Sequence, residues 1–569
     1  MTKKIPLTVF CLLFLLSILC FSNTMAQAEP NQAESLYASA NQYEEARQFD
    51  KATSLYGQVL AQFPEDAYGS RARLDIAKTA IISLIESGNF SQAQTDLDKF
   101  TAKFKTHWYF PAALYRIAER YEETMQLDKA KTIYQQIQQQ YPKDQYGGRS
   151  QIDVPKTAIV ALIESGNYTQ AQISLDKLNS DFSGNAYLPT ALYRIAERFE
   201  EARWPDKAKA IYAQIAQQHP TDPYAERAKI DVIKTAVISA IESENDSQSQ
   251  MNFDQLNTDF KSKSYLPAAL YRIAERYEES RKFDKAKTVY TQIAQQYPSS
   301  EFAVRSQIDI SKVEAICLID SGKDAEIQAI ISKFKSDFKG NSYLPAALYR
   351  ICERFEDAKK YDTAKAIYGQ IAQEFGNSSF AARAQLNIAK INVIVSVVPG
   401  SDIVTQSAVD KLAAAYDSAT YPMISNAIYL ITEKCYAEGT KPDVNRVAGD
   451  KLVALSAALL DKYVLGKICG RDNKASAYYI SGLNHDRLGD YAKAAQAFQG
   501  AYDANPKHQY ADYCLFAVGH CCEKLLEQKL ISKTAAAATI TSQYSQLVSK
   551  YPQSAYAPHA RSWLENNSK

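Results

Sequence analysis

The stretch YLPAALYRIAERYEE, residues 265–279, decides the fold, because the chain repeats it. Its proline recurs at Pro111, Pro189, Pro267 and Pro345, one every 78 residues. The copy at 187–201 differs only in Thr190 for Ala268 and Phe199 for Tyr277. An unbroken period of this length reads as one supersecondary unit copied in tandem, each copy leaning on its neighbours in an extended stack rather than a globule. In the copy at 109, Leu114, Ile117, Ala118 and Tyr121 fall at i, i+3, i+4 and i+7, one stripe of a helix. The small Ala118 lets a partner helix approach. Tyr134 and Ile137 of the next helix fill the space between, and Pro142 ends that helix because proline cannot continue it.

These residues place the first hairpin of each copy beside a known family. Leu114, Ile117, Ala118, Tyr121, Ala130, Tyr134, Ile137 and Pro142 sit where the tetratricopeptide repeat (TPR) family carries its signature residues, and this segment resembles that family. The copies from 187 and 265 match equally well. An earlier copy matches with Leu36, Ala40, Tyr43, Ala52, Tyr56 and Pro64. The copy from 343 keeps Leu348, Cys352, Phe355, Ala364 and Tyr368 but has Gly376 in place of the proline. The resemblance implies an all-α, right-handed TPR-like solenoid of roughly thirteen helical hairpins. The spacing and the Tyr-Pro endings are also similar to periplasmic TPR proteins of outer-membrane assembly and of the Tol–Pal system.

The second hairpin of each period matches more weakly. It runs from about Arg149 to Glu164, turns at Ser165-Gly166-Asn167-Tyr168, and returns through Ala171, Leu175 and Leu178. The turn glycine repeats as Gly88, Gly166, Gly322 and Gly400, whereas Glu244 replaces it in the third period, which is predicted to be the least regular. Pro155 lies inside a predicted helix where the other copies have Ala77, Ile233 and Ser311, and a kink is expected there.

Three segments follow: 1–28 as a signal peptide, 29–420 as five tandem double-TPR periods, and 421–569 as a diverged TPR region with a capping helix. Tyr421-Pro422 restarts the phrase imperfectly. Residues 443–464 read as one helix, a good repeat runs from Ala475 to Pro506, and the last hairpin pairs Tyr510–Leu526 with Thr539–Tyr551 across an insertion. Lys3-Lys4, the 15-residue apolar run Leu7–Phe21 and Ala26-Gln27-Ala28 form the leader pattern, and the run falls short of the roughly 20 residues that span a bilayer. The expectation is a mature chain starting near Glu29, exported to the periplasm or outside the cell, without a transmembrane span, and able to sit peripherally on the outer membrane.

The chain has 65 basic and 64 acidic residues, so losing Lys3 and Lys4 leaves it one short of neutral. That excludes the net basic footprint a nucleic-acid binder needs. Nine cysteines are present, two of them in the leader. Seven cannot all pair internally, Cys352 stands where sister copies have alanine, and His520-Cys521-Cys522 point in different directions on a helix, so no metal site is expected. No nucleophile elbow, zinc-binding helix, phosphate loop or dinucleotide fingerprint is present. The sequence therefore implies a non-enzyme with no cofactor.

The recurring polar residues carry the functional reading. By the geometry of the TPR family, the first helix of each hairpin lines a concave groove. That places Tyr115, Tyr193, Tyr271 and Tyr349 in it, with Glu119, Glu197, Glu275 and Glu353 one turn on. In the second hairpins it places Lys78, Lys156, Lys234 and Lys312 there, each three residues after an aspartate (Asp75, Asp153, Asp231, Asp309). On one reading this ladder is exposed and grips an extended segment of a protein partner; a cell-wall polysaccharide stacked on the tyrosines is the alternative. On the other reading, glutamates of one hairpin bridge lysines of the next and the ladder fixes the stacking. A hidden enzyme among the C-terminal repeats is the remaining class.

Overall fold

The computed structural model describes residues 32–567 except 377, 417–422, 469, 470 and 507. The leader 1–28 with its cleavage site, the start at Glu29, the restart at Tyr421-Pro422, Cys469 and Gly470 lie outside the described residues. Among the described residues the chain is all-α, with 27 α-helices in a paired, stacked, TPR-like arrangement. They form thirteen successive pairs and a final single helix, Ala557–Asn567. None is long and apolar enough to cross a membrane.

Local chemistry sets the helix ends. Pro111, Pro189, Pro267 and Pro345 occupy the first turn of their helices, where the missing N–H costs nothing. After the endings Phe63-Pro64, His219-Pro220 and Tyr297-Pro298, a short polar side chain caps the next helix. Asp66 accepts from the Tyr68 N–H at 2.7 Å, Asp222 from Tyr224 at 2.8 Å and Ser300 from Phe302 at 3.2 Å. The turn glycines adopt the left-handed conformation they were placed to supply: Gly88 has φ 78°, Gly166 77°, Gly322 73° and Gly400 91°. Glu244 takes φ 58° in the third period without a glycine's freedom. The helix after it, Asp246–Phe260, buries only Ser249 and Leu256, whereas Phe90–Phe104 buries Phe90, Ala93, Leu97, Phe100 and Phe104.

The chain divides into two compact units. The first comprises residues up to 126 together with 139–146. Its core gathers Tyr37, Ala40, Ala52, Tyr56, Val59 and Ala72. The second comprises 127–138 and everything from 147 onward. Its core is a succession of clusters, one per period: around Leu192 and Tyr212, then Leu270 and Tyr290, then Leu348 and Tyr368, then Ile428 and Leu452, and last Phe498 and Tyr544.

The helix Gln145–Glu164 continues through Pro155 and has the same length, 20 residues, as its sister Pro223–Glu242. Two sequence readings change in detail. The helix placed at 443–464 starts at Arg446 and finishes with a π-helical turn, Leu460–Val464. In the last hairpin, Lys533–Lys550 is one helix capped by Ser532, whose Oγ accepts from the Ala535 N–H at 3.2 Å. Half of the supposed insertion, residues 533–538, is therefore that helix's first turns, hidden by an Ala-rich stretch with no periodic apolar signal.

Candidate functional site: a buried polar junction beneath an arginine–glutamate face

Within a period, the first hairpin closes on the second through a recurring set of side chains. In the second unit, Tyr193 donates to Asp231 at 2.5 Å, and its hydroxyl lies 2.8 Å from that of Tyr265. Lys234 bridges Asp231 at 2.7 Å and Glu200 at 2.9 Å. One period on, Tyr271 donates to Asp309 and its hydroxyl lies 2.9 Å from that of Tyr343, and Lys312 bridges Asp309 at 2.7 Å and Glu278 at 3.0 Å. The first unit repeats the design with Tyr37, Asp75, Lys78 and Glu44. The last junction differs: Asn387 replaces aspartate, and its amide donates to Tyr349 at 2.7 Å and to Tyr368 at 3.0 Å, while Lys390 keeps Glu356 at 2.6 Å.

This arrangement corrects the expectation of an exposed ladder. Tyr115, Tyr193, Tyr271 and Tyr349 are only 2–3 % exposed. Lys78, Lys156, Lys234 and Lys312 are buried too. Tyrosines covered to this degree offer no ring face to a sugar, so the polysaccharide alternative loses the residues it rested on. The lysine stems lie across aromatic rings, with Lys156 Nζ 5.4 Å from the Tyr134 centroid and Lys234 Nζ 5.4 Å from that of Tyr212. The reading in which glutamates of one hairpin bridge lysines of the next matches Glu44–Lys78, Glu200–Lys234 and Glu278–Lys312.

Burial sets the electrostatics. It pushes the Asp231 carboxyl up to about 6, with Glu200 adding to it and Lys234 opposing. Burial alone would lower the Lys234 ammonium, but Asp231 and Glu200 together raise it, so it stays charged. Burial, then Asp231 and Tyr265, hold Tyr193 protonated as a donor. Two carboxylates thus share one lysine at this junction, and the phenol supplies the remaining hydrogen bond.

The glutamates one turn from the tyrosines remain accessible. Glu119, Glu197, Glu275 and Glu353 each pair with an arginine three residues earlier: Arg116 at 2.9 Å, Arg194 at 2.9 Å, Arg272 at 3.0 Å and Arg350 at 2.8 Å. Those arginines are more than half exposed. Within the second unit Arg272 also reaches Glu201 at 3.3 Å, and Arg203 reaches Glu279 at 3.2 Å. A cleft of about 640 Å³ opens beside them, lined by Arg350, Glu353, Arg354, Phe380 and Arg383 among others. Of the expected groove residues, the structure therefore leaves the glutamates on the surface and moves the tyrosines and lysines beneath it. The arginines were missed as site residues. Their signal was a recurring Arg-x-x-Glu, which reads equally well as an ordinary solvated ion pair.

The cysteines play no part in this face. Cys352, Cys435, Cys514, Cys521 and Cys522 are buried free thiols, and burial pushes Cys514 and Cys521 up to about 12. His485 is buried at the place where Tyr121 stands in its sister, and burial lowers its pKa. Among the described residues, no group of three or more His, Cys, Asp or Glu side chains is placed to hold a metal ion.

The family described as tetratricopeptide repeat matches residues 34–66, 112–144 and 268–300, and a second family of the same description matches 454–509. Those four segments of the chain are therefore similar to tetratricopeptide repeats. No curated protein sequence matches it. Among solved structures it is similar to the APC/C hetero-tetramer Cut9–Hcn1, with 12% identity over 93% of this chain and 96% of that one and a TM-score of 0.25. It is also similar to the yeast Tom70, with 13% identity over 89% and 98% and a TM-score of 0.32. These matches lend no support to the resemblance to periplasmic proteins of the Tol–Pal system.

Proposed function

We propose that this chain is an exported, non-enzymatic scaffold of the cell envelope that holds an extended segment of a partner protein on its arginine–glutamate face. The observation that carries this reading is the recurrence of half-exposed arginines at Arg194, Arg272 and Arg350, each already oriented by a neighbouring glutamate. A guanidinium presents a planar fork of N–H donors that matches a partner's carboxylates and main-chain carbonyls. Regular spacing suits a chain lying along the face. The buried junctions beneath keep the spacing fixed.

The test is capture from the cell envelope by the wild-type chain and by a variant with Arg194, Arg272 and Arg350 all changed to Ala. Captured partner should fall at least tenfold, and melting should shift little, because exposed pairs each contribute about 0–1 kcal/mol. Equal capture by the two proteins overturns the reading. Export is tested separately: N-terminal sequencing of the native protein should give a start near Glu29, and an intact Met1 would refute it.

A further inference from the structure

The turn between the helices Ser379–Ser396 and Asp402–Ala415 differs from every sister turn. Val395, Val398, Ile403 and Val404 are 49%, 53%, 80% and 66% exposed. At the place of Val398 the other periods carry Glu86, Glu164, Glu242 and Asp320. At the place of Val404 they carry Gln92, Gln170, Gln248 and Glu326. At the place of Ile403 they carry Ser91, Thr169, Ser247 and Ala325.

The acid in the sister turns has a task. Glu86 pairs with Arg120 at 2.7 Å, Glu242 with Arg276 at 3.3 Å and Asp320 with Arg354 at 2.5 Å. In the fifth period both partners are gone together: Val398 replaces the acid, and Thr432, buried and donating to the Tyr429 carbonyl at 2.7 Å, replaces the arginine. The turn itself is firmly built. The Ser401 Oγ accepts from the Val398 N–H at 3.0 Å, the Ser401 N–H returns to the Val398 carbonyl at 2.9 Å, and Val397 and Thr405 anchor it inward. An ordered turn thus holds four aliphatic side chains out into solvent, two of them, Val398 and Val404, at places where all four sister copies hold polar ones.

We propose that this turn is a docking site for a short aliphatic segment of a partner protein, separate from the arginine–glutamate face. A clustered apolar patch on a soluble surface marks an interaction site. Four side chains cannot supply the roughly 800 Å² per partner of a standard interface, so a second copy of this chain is not the occupant. A lipid surface is disfavoured by composition: between Lys390 and Lys411 the sequence contains no Lys, Arg, Trp, Tyr or Phe, the residues that anchor a protein at a bilayer interface. The remaining fit is a helix or strand presenting a row of aliphatic residues, bound without ion pairing.

The variant Val398→Glu, Ile403→Thr, Val404→Gln installs residues that the second period already carries in the same turn, so it should melt within a few degrees of wild type. A displayed library of random peptides is selected on the full chain, and the enriched peptides are then measured on both proteins. The expected result is peptides with aliphatic residues at helical or alternate spacing, bound at least tenfold more weakly by the variant and indifferent to salt. Selected peptides that bind both proteins equally overturn the proposal. So does sedimentation showing that wild type self-associates and the variant does not. Binding of wild type, but not the variant, to phosphatidylglycerol vesicles, or competition by a peptide of residues 7–21, would name a different occupant and equally overturn it.

Discussion

The phenol of Tyr193 donates a 2.5 Å hydrogen bond to the carboxylate of Asp231, 38 residues further on and in the next hairpin. The relationship recurs between Tyr37 and Asp75 and between Tyr271 and Asp309. It explains why tyrosine and aspartate return together: each is the other's buried partner across a joint between hairpins.

Removing one partner should therefore cost stability rather than binding. Tyr193→Phe leaves the Asp231 carboxylate one donor short in a dry site, at about 1–3 kcal/mol. Tyr193→Ala also empties a large core position, at about 3–5 kcal/mol. Urea unfolding of both variants reads this out. Losses within about 0.5 kcal/mol, the behaviour of an exposed residue, would contradict the buried junction.

The Asp231 carboxyl gives stability a particular pH dependence. Its ordinary value is 3.8, and burial raises it to about 6 in the folded chain. The folded state therefore holds the proton more tightly than the unfolded state. This group's favourable contribution is complete below about pH 4 and is lost as pH rises through about 6, at roughly 1.4 kcal/mol per pH unit within that window. Glu200, Lys234, Tyr193, Tyr212 and Tyr265 surround it. Asp231→Asn, the residue already present at Asn387, should remove this segment of the profile. Unfolding midpoints of wild type and variant, compared across that window, should converge or diverge accordingly; parallel curves would rule the shift out.

A polar pair joins the third and fourth periods. Ser249 stands where Ala93 and Ala171 stand, and its hydroxyl lies 2.7 Å from that of Tyr277, where Phe199 and Phe355 stand in two other copies and Tyr121 in a third. Ser249→Ala and Tyr277→Phe should each cost about 1 kcal/mol, since each leaves a buried hydroxyl unanswered. The double variant restores the combination seen at Ala171 and Phe199 and should be nearly neutral. A double-mutant cycle measures this, and additive losses would show that the two hydroxyls are independent.

Damage within the second unit should stay local. Tyr290 is fully buried in the cluster around Leu270, while Phe498 and Tyr544 belong to a separate cluster. Tyr290→Ala should speed amide exchange through residues 230–313 and leave 494–560 at wild-type rates. Uniform acceleration across both regions would mean that the unit opens as one body.

Much of this was legible in the residues. The period, the paired helices, the left-handed glycines and the proline stops follow from local rules, and the helices fall where those rules put them. The depth of Tyr193 or Lys234 was not legible. Periodicity assigns a residue to a stripe of its own helix, and a third helix, contributed by the following hairpin, covers the edge of that stripe. Lysine is rarely buried, and only the nearby Asp231 and Glu200, with the Tyr212 ring along its stem, make it comfortable here. Nor did the pattern show that Val398 faces solvent. An apolar residue in place of an acid looks like extra core until the fold places it at a turn.

Because every joint is written by partners a fixed number of residues apart, the joints are interchangeable. Excising residues 194–271 would bring Tyr193 into the register of Asp309 and Lys312, beside Glu278, with no side chain left over. Gene duplication or loss of a whole period can thus lengthen or shorten the protein without a new fold having to be found. The fifth period carries the neutral Asn387 where the four before it carry aspartate.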